Sequence, residues 1–535
     1  MASIVYQKNK KTGVVYVYES VSYWDKEKKQ SRAKRTCIGK LDPETNQIVP
    51  TRKKVPKAFS DKPKRGPLPV TRISRKFCGA TYLFDRIGEK VGLTDDLKRC
   101  FPDTYKQILS IAYYLILEDR NPLSRFPRWS ATHRHPHGRA IPSQRSSELF
   151  ASITEESTAQ FFRLQGKRRA EREYWAYDTT SISSYSRCLR QVTYGHNKEH
   201  DPLAQLNLAM LFGERSQLPF YYRKIAGHIP DVKALKKLLK DLQFMKPGRV
   251  KLVMDKGFYS AENINGLYRN HLKFLVAAKT SLKIVRSGLD SVRDRIRNWS
   301  NYSPTYDCYA CSIPLQWEYV QPRPYKGDVL KEKRRIYLHL YYSAERAVEQ
   351  EKAFHKRLHQ LQAELVSGNR NPEHETLYNT YFEMTQTPVR GTRVTARETI
   401  IAEKKEHFGY FALLSNDIKE PIEALEIYRN KDLVEKAFGN IKDRLNLRRL
   451  AVSSEQSLDG KLYVAFVALI ILAYIKKRMQ ETRLFQTTTL QELLDDLDMI
   501  ESFEYTGHRP FIGEMTSRQT ALYNKMDVPP PVSLQ

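Results

Sequence analysis

The sequence predicts an α/β protein whose largest part is a mixed β-sheet with flanking helices, and three observations predict it. Residues 175–279 alternate between strand-like and helix-like patterns in the order βββαβαβ. Two of these strands carry an aspartate, Asp178 within the first and Asp255 at the end of the fourth. A long amphipathic helix follows downstream, over about residues 421–447. A sheet of this kind holds reactive side chains at its strand ends.

Length and charge set the class of protein and of partner. With 535 residues the chain is too long for one core and should contain three or four units. Its 41% hydrophobic and 28% charged residues are typical of a globular protein. The 90 Lys and Arg exceed the 60 Asp and Glu by 30, which indicates a polyanionic partner. Because the basic residues are spread through every segment, DNA or RNA fits better than a membrane surface.

Targeting and redox signals favour a cytoplasmic protein without a membrane span. The N-terminus has no apolar secretory segment. The longest apolar run, residues 462–475, is shorter than the roughly 20 residues that a membrane-spanning helix needs and is predicted to be a buried helix. Six cysteines, most of them isolated, indicate a reducing compartment and no disulfide framework.

Composition and periodicity divide the chain into seven predicted segments. Strand-like alternation with turn signals predicts a β-meander at the start of the chain. A Pro- and Lys-rich stretch then predicts a linker, and helical periodicity predicts the helical domain that follows it. The segments are a basic β-meander (1–55), a linker (56–79), a helical DNA-binding domain (80–173), the first part of the core (174–279), a β-rich insertion (280–407), the second part of the core (408–450) and a C-terminal helical segment (451–535).

The predicted core has a recognisable order of elements. The stretch WAYDTTSISSYS starts with residues suited to a strand, and QLNLAMLFG and LPFYYRKIAG then alternate like antiparallel strands. A helix leads to the strand RVKLVMDKGFYS, which ends at Asp255. Another helix and the strand KFLVAAK follow. The order βββαβαβ, with acids on the first and fourth strands, is that of the ribonuclease H-like fold. Taken alone, each aspartate is an ordinary turn or cap residue.

The helix over residues 421–447 presents a narrow polar stripe. At about 100° per residue, Tyr428, Lys431, Glu435 and Lys442 fall within an arc of roughly 60°. Its other side is apolar and wide enough to pack against a core. Spacing alone does not distinguish this stripe from the solvated side of an ordinary amphipathic helix.

The stripe resembles the Y-x2-R-x3-E-x6-K signature of insertion-sequence DDE transposases. Tyr428, Glu435 and Lys442 match the signature, and Lys431 stands where the family usually has Arg. Lys keeps the positive charge and loses the bidentate geometry of Arg. The motif DKGFYS around Asp255 is similar to the second-aspartate motif of the same family.

This resemblance implies a site and a reaction. The catalytic residues would be Asp178, Asp255 and Glu435. The same three carboxylates would bind two Mg²⁺ ions, which Mn²⁺ can replace, because three convergent carboxylates suit such a pair of ions. Tyr428, Lys431 and Lys442 would bind DNA phosphates. The family also implies cut-and-paste transposition on terminal inverted repeats of double-stranded DNA, a homodimer that pairs two ends, and association with the nucleoid in the cytoplasm.

Two other interpretations of the same residues stay open. One is a structure-selective nuclease on the same fold, and the other is a domesticated DNA-binding protein that has lost its chemistry. The presence of all three acids in the expected order disfavours the second. Joining of a pre-cleaved DNA end would separate a transposase from a plain nuclease.

Several further residues are candidates for metal ligands or base-stacking groups. The spacing of His133, His135 and His137 matches no standard zinc set, and the CxxC pair Cys308 and Cys311 has no second pair, so metal binding is disfavoured for both groups. In the family, an aromatic side chain of the insertion stacks on a flipped base. The two candidates are Trp299 and Trp317, and core packing is the favoured interpretation for both.

Overall fold

The structure is a computed structural model of the chain. It describes all residues except 1, 27, 52–72, 119–120, 169–172, 184–188, 196–202, 230, 242–249, 324–326, 388–390, 432–453, 506–509 and 533–535. The chain divides into two compact units, Met1–Arg72 and Ile73–Gln535.

The first unit contains one antiparallel sheet. Its strands are β1 (Ala2–Lys8), β2 (Val15–Asp25), β3 (Gln30–Leu41) and β4 (Ile48–Val49), in the order β1-β2-β3-β4. This is the strand order of the predicted meander. Val17 is the one fully buried hydrophobic side chain among the described residues of this unit. The sheet therefore has almost no core of its own.

The second unit contains sixteen described α-helices. They are α1 (Gly79–Lys90), α2 (Leu93–Cys100), α3 (Tyr105–Leu117), α4 (Phe126–Thr132), α5 (Ser143–Ser152), α6 (Glu155–Lys167), α7 (Asp231–Asp241), α8 (Ala261–Arg269), α9 (Lys283–Val292), α10 (Ala344–Ser367), α11 (Glu375–Tyr381), α12 (Glu398–Lys405), α13 (residues 421–431, up to the last described position), α14 (Glu455–Glu481), α15 (Leu490–Asp498) and α16 (Ser517–Lys525). The first six confirm the helical pattern that the sequence predicts after residue 80.

The strands of the second unit form three sheets. They are β5 (Ile73–Phe77), β6 (Trp175–Ser183), β7 (Gln205–Gly213), β8 (Pro219–Ala226), β9 (Lys251–Met254), β10 (Lys273–Ala278), β11 (Tyr302–Ser303), β12 (Cys308–Arg323), β13 (Asp328–Tyr342), β14 (Phe382–Thr387), β15 (Gly391–Ala396), β16 (Tyr410–Ser415), β17 (Glu501–Tyr505) and β18 (Phe511–Ile512). The largest sheet has nine strands in the order β11-β12-β13-β16-β10-β9-β6-β7-β8.

Five strands of the large sheet confirm the ribonuclease H-like core. Along the sheet they run β8-β7-β6-β9-β10, so the three antiparallel strands come first and two parallel strands follow. β9 is parallel to both β6 and β10. Residues of β6 alternate between the two faces, as the pleat requires. Trp175 and Tyr177 point into one apolar core, and Ala176 points into another.

The segment predicted as a β-rich insertion lies between β10 and β16. Its strands β12 and β13 extend the large sheet, because β13 pairs with β16. The rest of the segment contains the helices α10 to α12 and the hairpin β14–β15, packed around Leu361, Leu365, Tyr378 and Phe382. The insertion therefore combines an extension of the central sheet with a small helical layer.

The start and the end of the second unit close on each other. β5 lies inside the stretch predicted as a linker, yet it pairs with β17 over Ile73↔Tyr505 to Phe77↔Glu501. The hydroxyl of Tyr523 donates to the carbonyl of Gly79 at 2.8 Å. The helices α1 to α6 thus share one core with α14 and α15.

The apolar helix α14 is longer than the apolar run that predicts it. It is long and apolar enough to cross a membrane, but 89% of its most apolar window is buried inside the protein. Phe466 of this helix packs against Phe162 of α6 and Tyr222 of β8. α14 is a core helix between the helical layer and the edge of the sheet, which agrees with the sequence prediction.

Candidate active site

The two predicted aspartates lie at matching positions on neighbouring parallel strands. β6 and β9 pair over Trp175↔Leu252 to Tyr177↔Met254, so Asp178 and Asp255 occupy the next position of each strand. Paired residues of adjacent strands point to the same face. Both side chains are half-buried. The sheet therefore brings the two carboxylates together, with Asp178 in the middle of β6 and Asp255 directly after the last residue of β9.

The helix α13 covers the face on which these carboxylates lie. Ala424, Leu425 and Ile427 of this helix share a core cluster with Ala176 of β6 and Val253 of β9. The apolar side of the helix thus packs on the sheet, as its periodicity predicts. This packing places the polar stripe next to the strand ends.

A direct hydrogen bond joins the stripe to the second aspartate. The hydroxyl of Tyr428 donates to Oδ1 of Asp255 at 2.8 Å. Burial raises the pKa of Asp255, but the backbone N–H of Lys256, the Tyr428 hydroxyl and the positive charges of Lys431 and Lys256 outweigh burial and hold this pKa below its ordinary value. The Asp255 carboxylate is therefore ionised throughout the neutral range.

Lys431 lies beneath the stripe and not at its surface. Its side chain is 0% exposed, its Nζ lies 5.7 Å from the centre of the Tyr428 ring, and its charge favours the ionised form of Asp255. The sequence predicts that Lys431 binds a DNA phosphate. In the structure its charge acts on the carboxylate of Asp255.

A second contact to α13 comes from the turn between β7 and β8. The side-chain amide of Asn430 donates a hydrogen bond to Oε1 of Glu214, in the turn between β7 and β8. Glu214 is 2% exposed at its side chain, and burial raises its pKa. No pattern in the sequence marks this pair, because its members lie 216 residues apart.

Glu435 and Lys442, the other two predicted residues of the stripe, lie outside the described residues. Their predicted roles as third acid and phosphate contact stay predictions.

A family comparison covers this whole arrangement. The model of the family described as "Transposase DDE domain" matches residues 159–471, more than half of the chain. The chain belongs to the DDE transposase family. The matched range includes Asp178, Asp255 and the entire signature helix. The chain is accordingly an enzyme of DNA cleavage and strand transfer, as the resemblance predicts.

Comparisons with individual proteins add little to the family match. No curated protein matches this transposase. Among solved structures, the cryo-EM structure of a piggyBac transposase synaptic complex with hairpin DNA matches 79% of this chain and 77% of its own, with 10% sequence identity and a TM-score of 0.35. So low a score does not establish a shared fold, and the fold of the transposase core is assigned from its strand order.

The transposase site supplies two of the three predicted metal ligands. Carboxylate oxygens are the ligands that Mg²⁺ prefers, and Asp178 and Asp255 carry them on neighbouring strands. Members of the DDE family use divalent metal ions in general. Within the described part of the chain, no group of three or more His, Cys, Asp and Glu side chains could hold a metal ion. Asp178 and Asp255 have the carboxylate chemistry that a divalent ion needs, and the third predicted ligand, Glu435, lies outside the described residues.

The histidines of residues 133–137 serve the packing of the helical layer. Nε2 of His133 lies 3.0 Å from Oδ2 of Asp498. His135 is buried between the hydroxyls of Ser130 and Ser110, at 2.8 and 2.9 Å. Burial lowers the pKa of His135 to about 4. Each of these two rings has partners within the protein, which fits the sequence interpretation that disfavours zinc.

The cysteine pair does not converge on one site. Cys308 and Cys311 are three positions apart on β12 and therefore point to opposite faces of the sheet. Cys308 packs in the core under α13, and Cys311 packs against the core on the other side.

The two tryptophans of the insertion differ in exposure. Trp317 is buried, and its indole N–H donates to Oδ1 of Asn265 at 2.8 Å. Trp299 is 82% exposed and stacks on Tyr302, with ring centres 5.3 Å apart. The sequence favours core packing for both tryptophans. This interpretation is confirmed for Trp317 and is wrong for Trp299. The polar residues on both sides of Trp299 along the chain are the local sequence signal that favours its exposure.

A cleft opens beside α13 on the side of the insertion. It has a volume of about 510 Å³ and is lined by Tyr428 and Arg429 of α13 and by Arg346 of α10. The guanidinium of Arg429 lies over the ring of Tyr306 at 4.7 Å, and that of Arg346 lies over Phe411 at 5.0 Å. The lining also includes the acidic residues Glu345 and Glu349, so the two arginines do not make the cleft basic as a whole.

Proposed function

We propose that this DDE transposase is encoded by an insertion sequence and moves it by a cut-and-paste route. It would bind the terminal inverted repeats of double-stranded DNA, cleave at their ends and join the freed 3′-hydroxyl to a target. Asp178, Asp255 and Glu435 are the proposed catalytic residues. The observation that supports this most strongly is the matching position of Asp178 and Asp255 beside a helix whose Tyr428 binds Asp255.

The proposed chemistry depends on carboxylates that stay ionised. Two Mg²⁺ ions, replaceable by Mn²⁺, would supply activation of the attacking oxygen and stabilisation of the leaving oxygen. Tyr428 orients Asp255, and Lys431 keeps it in its charged form. Lys442 is the residue of the stripe proposed to contact a DNA phosphate.

Further parts of the proposal concern assembly and location. The helical layer α1 to α6 is proposed as a DNA-binding domain, and the active complex as a homodimer that pairs two DNA ends. The net charge of +30 supports a polyanionic partner. We place the enzyme in the cytoplasm, on the nucleoid when it is bound to DNA, and not in a membrane, since α14 is buried.

The deciding experiment uses a labelled duplex carrying the DNA that flanks the gene. Wild type is compared with Asp178→Asn and Glu435→Ala, and with Asp103→Asn as a matched control at an exposed aspartate. We expect cleavage and joining with Mg²⁺ or Mn²⁺ in wild type and control, a loss of at least about 1,000-fold in the two site variants, and DNA binding in all four.

Each other result has a defined meaning. Cleavage without joining of a pre-cleaved end would indicate a structure-selective nuclease. Binding without cleavage by wild type would indicate a domesticated DNA-binding protein. Undiminished cutting by Asp178→Asn would show that the active site lies elsewhere.

A further inference from the structure

The first unit of the chain is unusually basic for its size. Residues 1–72 contain 18 Lys and Arg and 6 Asp and Glu, so this unit contributes +12 of the net +30. Two copies of such a unit would repel each other, whereas a polyanion would be attracted. The charge of the unit therefore indicates what kind of partner it meets.

The sheet of this unit leaves apolar and aromatic side chains exposed. Ile4 and Tyr6 of β1 and Tyr23 and Trp24 of β2 are all exposed, with Trp24 at 63%. Lysines at the edge of a sheet would by themselves only prevent strand pairing with other chains. Aromatic side chains between them indicate a surface that contacts a partner.

The strands β2 and β3 extend beyond the rest of the sheet. β1 pairs with β2 only as far as Ala2↔Val21, and β4 pairs with β3 only at Lys40 and Leu41. Among the described residues, the pairs from Ser22↔Ala33 to Asp25↔Gln30 have no third strand beside them and therefore form a two-stranded ribbon. Four residue pairs span about 13 Å.

The turn at the end of this ribbon is held by one aspartate. Oδ1 of Asp25 accepts a hydrogen bond from the backbone N–H of Lys28 at 3.1 Å, and Oδ2 lies 3.5 Å from the guanidinium of Arg32. Lys29 adopts a left-handed backbone conformation with φ of 47°. This turn holds the exposed side chains of Lys26, Lys28 and Lys29 at the tip.

We propose that the ribbon formed by residues 22–25 and 30–33 inserts into the major groove of double-stranded DNA. The major groove is about 12 Å wide and about 8.5 Å deep, and it admits a two-stranded β-ribbon. Tyr23 and Trp24 point to opposite faces of the ribbon and contact the groove, while the lysines at the tip bind phosphates. This inference depends on the proposed function only in that the enzyme acts on DNA.

The test measures DNA affinity of the full-length protein against salt concentration. The probe is the labelled duplex described above, and the variant combines Lys26→Ala, Lys28→Ala and Lys29→Ala. The control removes the same charge at the exposed residues Lys352, Lys356 and Lys404, each replaced by Ala. We expect the slope of log affinity against log salt to fall by about 2 to 3 in the ribbon variant, since each lost phosphate contact contributes about 0.9.

Two further measurements separate a local effect from misfolding. Trp24→Ala keeps the charge, so it should weaken binding by about fivefold or more without changing the salt slope. In hydroxyl-radical footprinting, the triple variant should lose protection over one groove while the rest of the footprint remains.

The outcomes are distinguishable from those of the cleavage test. Equal affinity and slope in the ribbon variant and wild type would overturn the inference even if cleavage and joining occur. An equal loss in the ribbon and control variants would also overturn it. A changed sedimentation coefficient with unchanged DNA affinity would show that the ribbon binds a second copy of the protein instead. Reduced binding by the ribbon variant supports the inference even if no cleavage is observed.

Discussion

The hydroxyl of Tyr428 donates a hydrogen bond to Oδ1 of Asp255 across 173 residues of sequence. It connects the helix that carries the family signature to the end of a core strand. Because one oxygen of the carboxylate is held in this way, the orientation of the other is also fixed. Tyr428 is therefore a positioning residue for Asp255.

Replacing Tyr428 by Phe should change both stability and the pH dependence of cleavage. The pKa of Asp255 is lower in the folded protein than its ordinary value, so its contribution to stability is complete above the unfolded pKa and is lost as pH falls through the folded pKa. Removing one donor should lower the free energy of unfolding at pH 7 by about 1 kcal/mol and raise the pKa of Asp255. Urea unfolding and the acid limb of the cleavage profile measure these effects.

Tyr194→Phe is the control for this variant, since Tyr194 is exposed. Unchanged stability at pH 7, together with an unshifted acid limb, would contradict the positioning role of Tyr428.

Replacing Glu214 by Gln should stabilise the protein near neutral pH. Burial raises the pKa of Glu214, so the stability that this group contributes is complete below its unfolded pKa and is lost as pH rises through the folded pKa. Gln keeps an oxygen that accepts the Asn430 amide and removes the buried charge. We expect an increase of about 1 kcal/mol at pH 7 that disappears at pH 4, measured by urea unfolding.

The exposed Glu403, whose charge is not among those that shift the pKa of Glu214, gives the matching control, Glu403→Gln. A Glu214→Gln variant that is less stable than wild type at pH 7 would show that the charge of Glu214 stabilises the turn.

The buried His135 should make the helical layer sensitive to acid. Its folded pKa is lowered to about 4, below the ordinary value of 6.5, so its contribution to stability is complete above pH 6.5 and is lost as pH falls towards 4. Between pH 7.5 and 4.5 this loss amounts to about 2 kcal/mol. His135→Gln should remove that part of the pH dependence, and His355→Gln, at an exposed position, should retain it. Equal pH dependence in all three proteins would rule out this role for His135.

Replacing Gly460 by Ala should destabilise the protein more than an ordinary helical substitution does. A Cβ at Gly460 in α14 would lie 2.3 Å from the backbone carbonyl oxygen of Phe150 in α5. Because backbone cannot move aside cheaply, we expect a loss of about 2 to 3 kcal/mol in the free energy of unfolding. Gly266→Ala in α8 is the control, since its Cβ would meet only a flexible Leu239 methyl group at 3.3 Å. Similar unfolding midpoints for the two variants would refute the close approach.

The sequence predicts the core strands and their order well. Alternation in residues 175–279 is regular, and the structure has Asp178 within a strand and Asp255 at the end of one, as the local patterns predict. These signals are local, and the sheet follows from them once the order βββαβαβ is recognised.

Pairing between distant segments is not visible in the sequence. β5 reads as part of a linker because its partner β17 lies more than 400 residues away. The two long strands β12 and β13 show strand periodicity, but periodicity does not say that β13 joins β16 and extends the central sheet.

The contacts of the candidate site are only partly visible in the sequence. Helical periodicity puts Tyr428 and Lys431 on one stripe, and it does not reveal what covers the stripe. In the structure Tyr428 binds a carboxylate, and Lys431 is buried beside it.

The closure of the second unit, where β5 pairs with β17 and α14 packs among α1 to α6, has a consequence for synthesis of the protein. Residues 79–167 leave the ribosome long before residue 455, where α14 begins. At about 5 to 20 residues per second, the stretch from residue 167 to residue 455 takes roughly 15 to 60 seconds. During that time the apolar faces of the early helices are not yet covered by α14. Chaperones can therefore bind to these exposed faces. A chain that stops before α14 would leave this core incomplete, and a shortened translation product should therefore be degraded before it meets DNA.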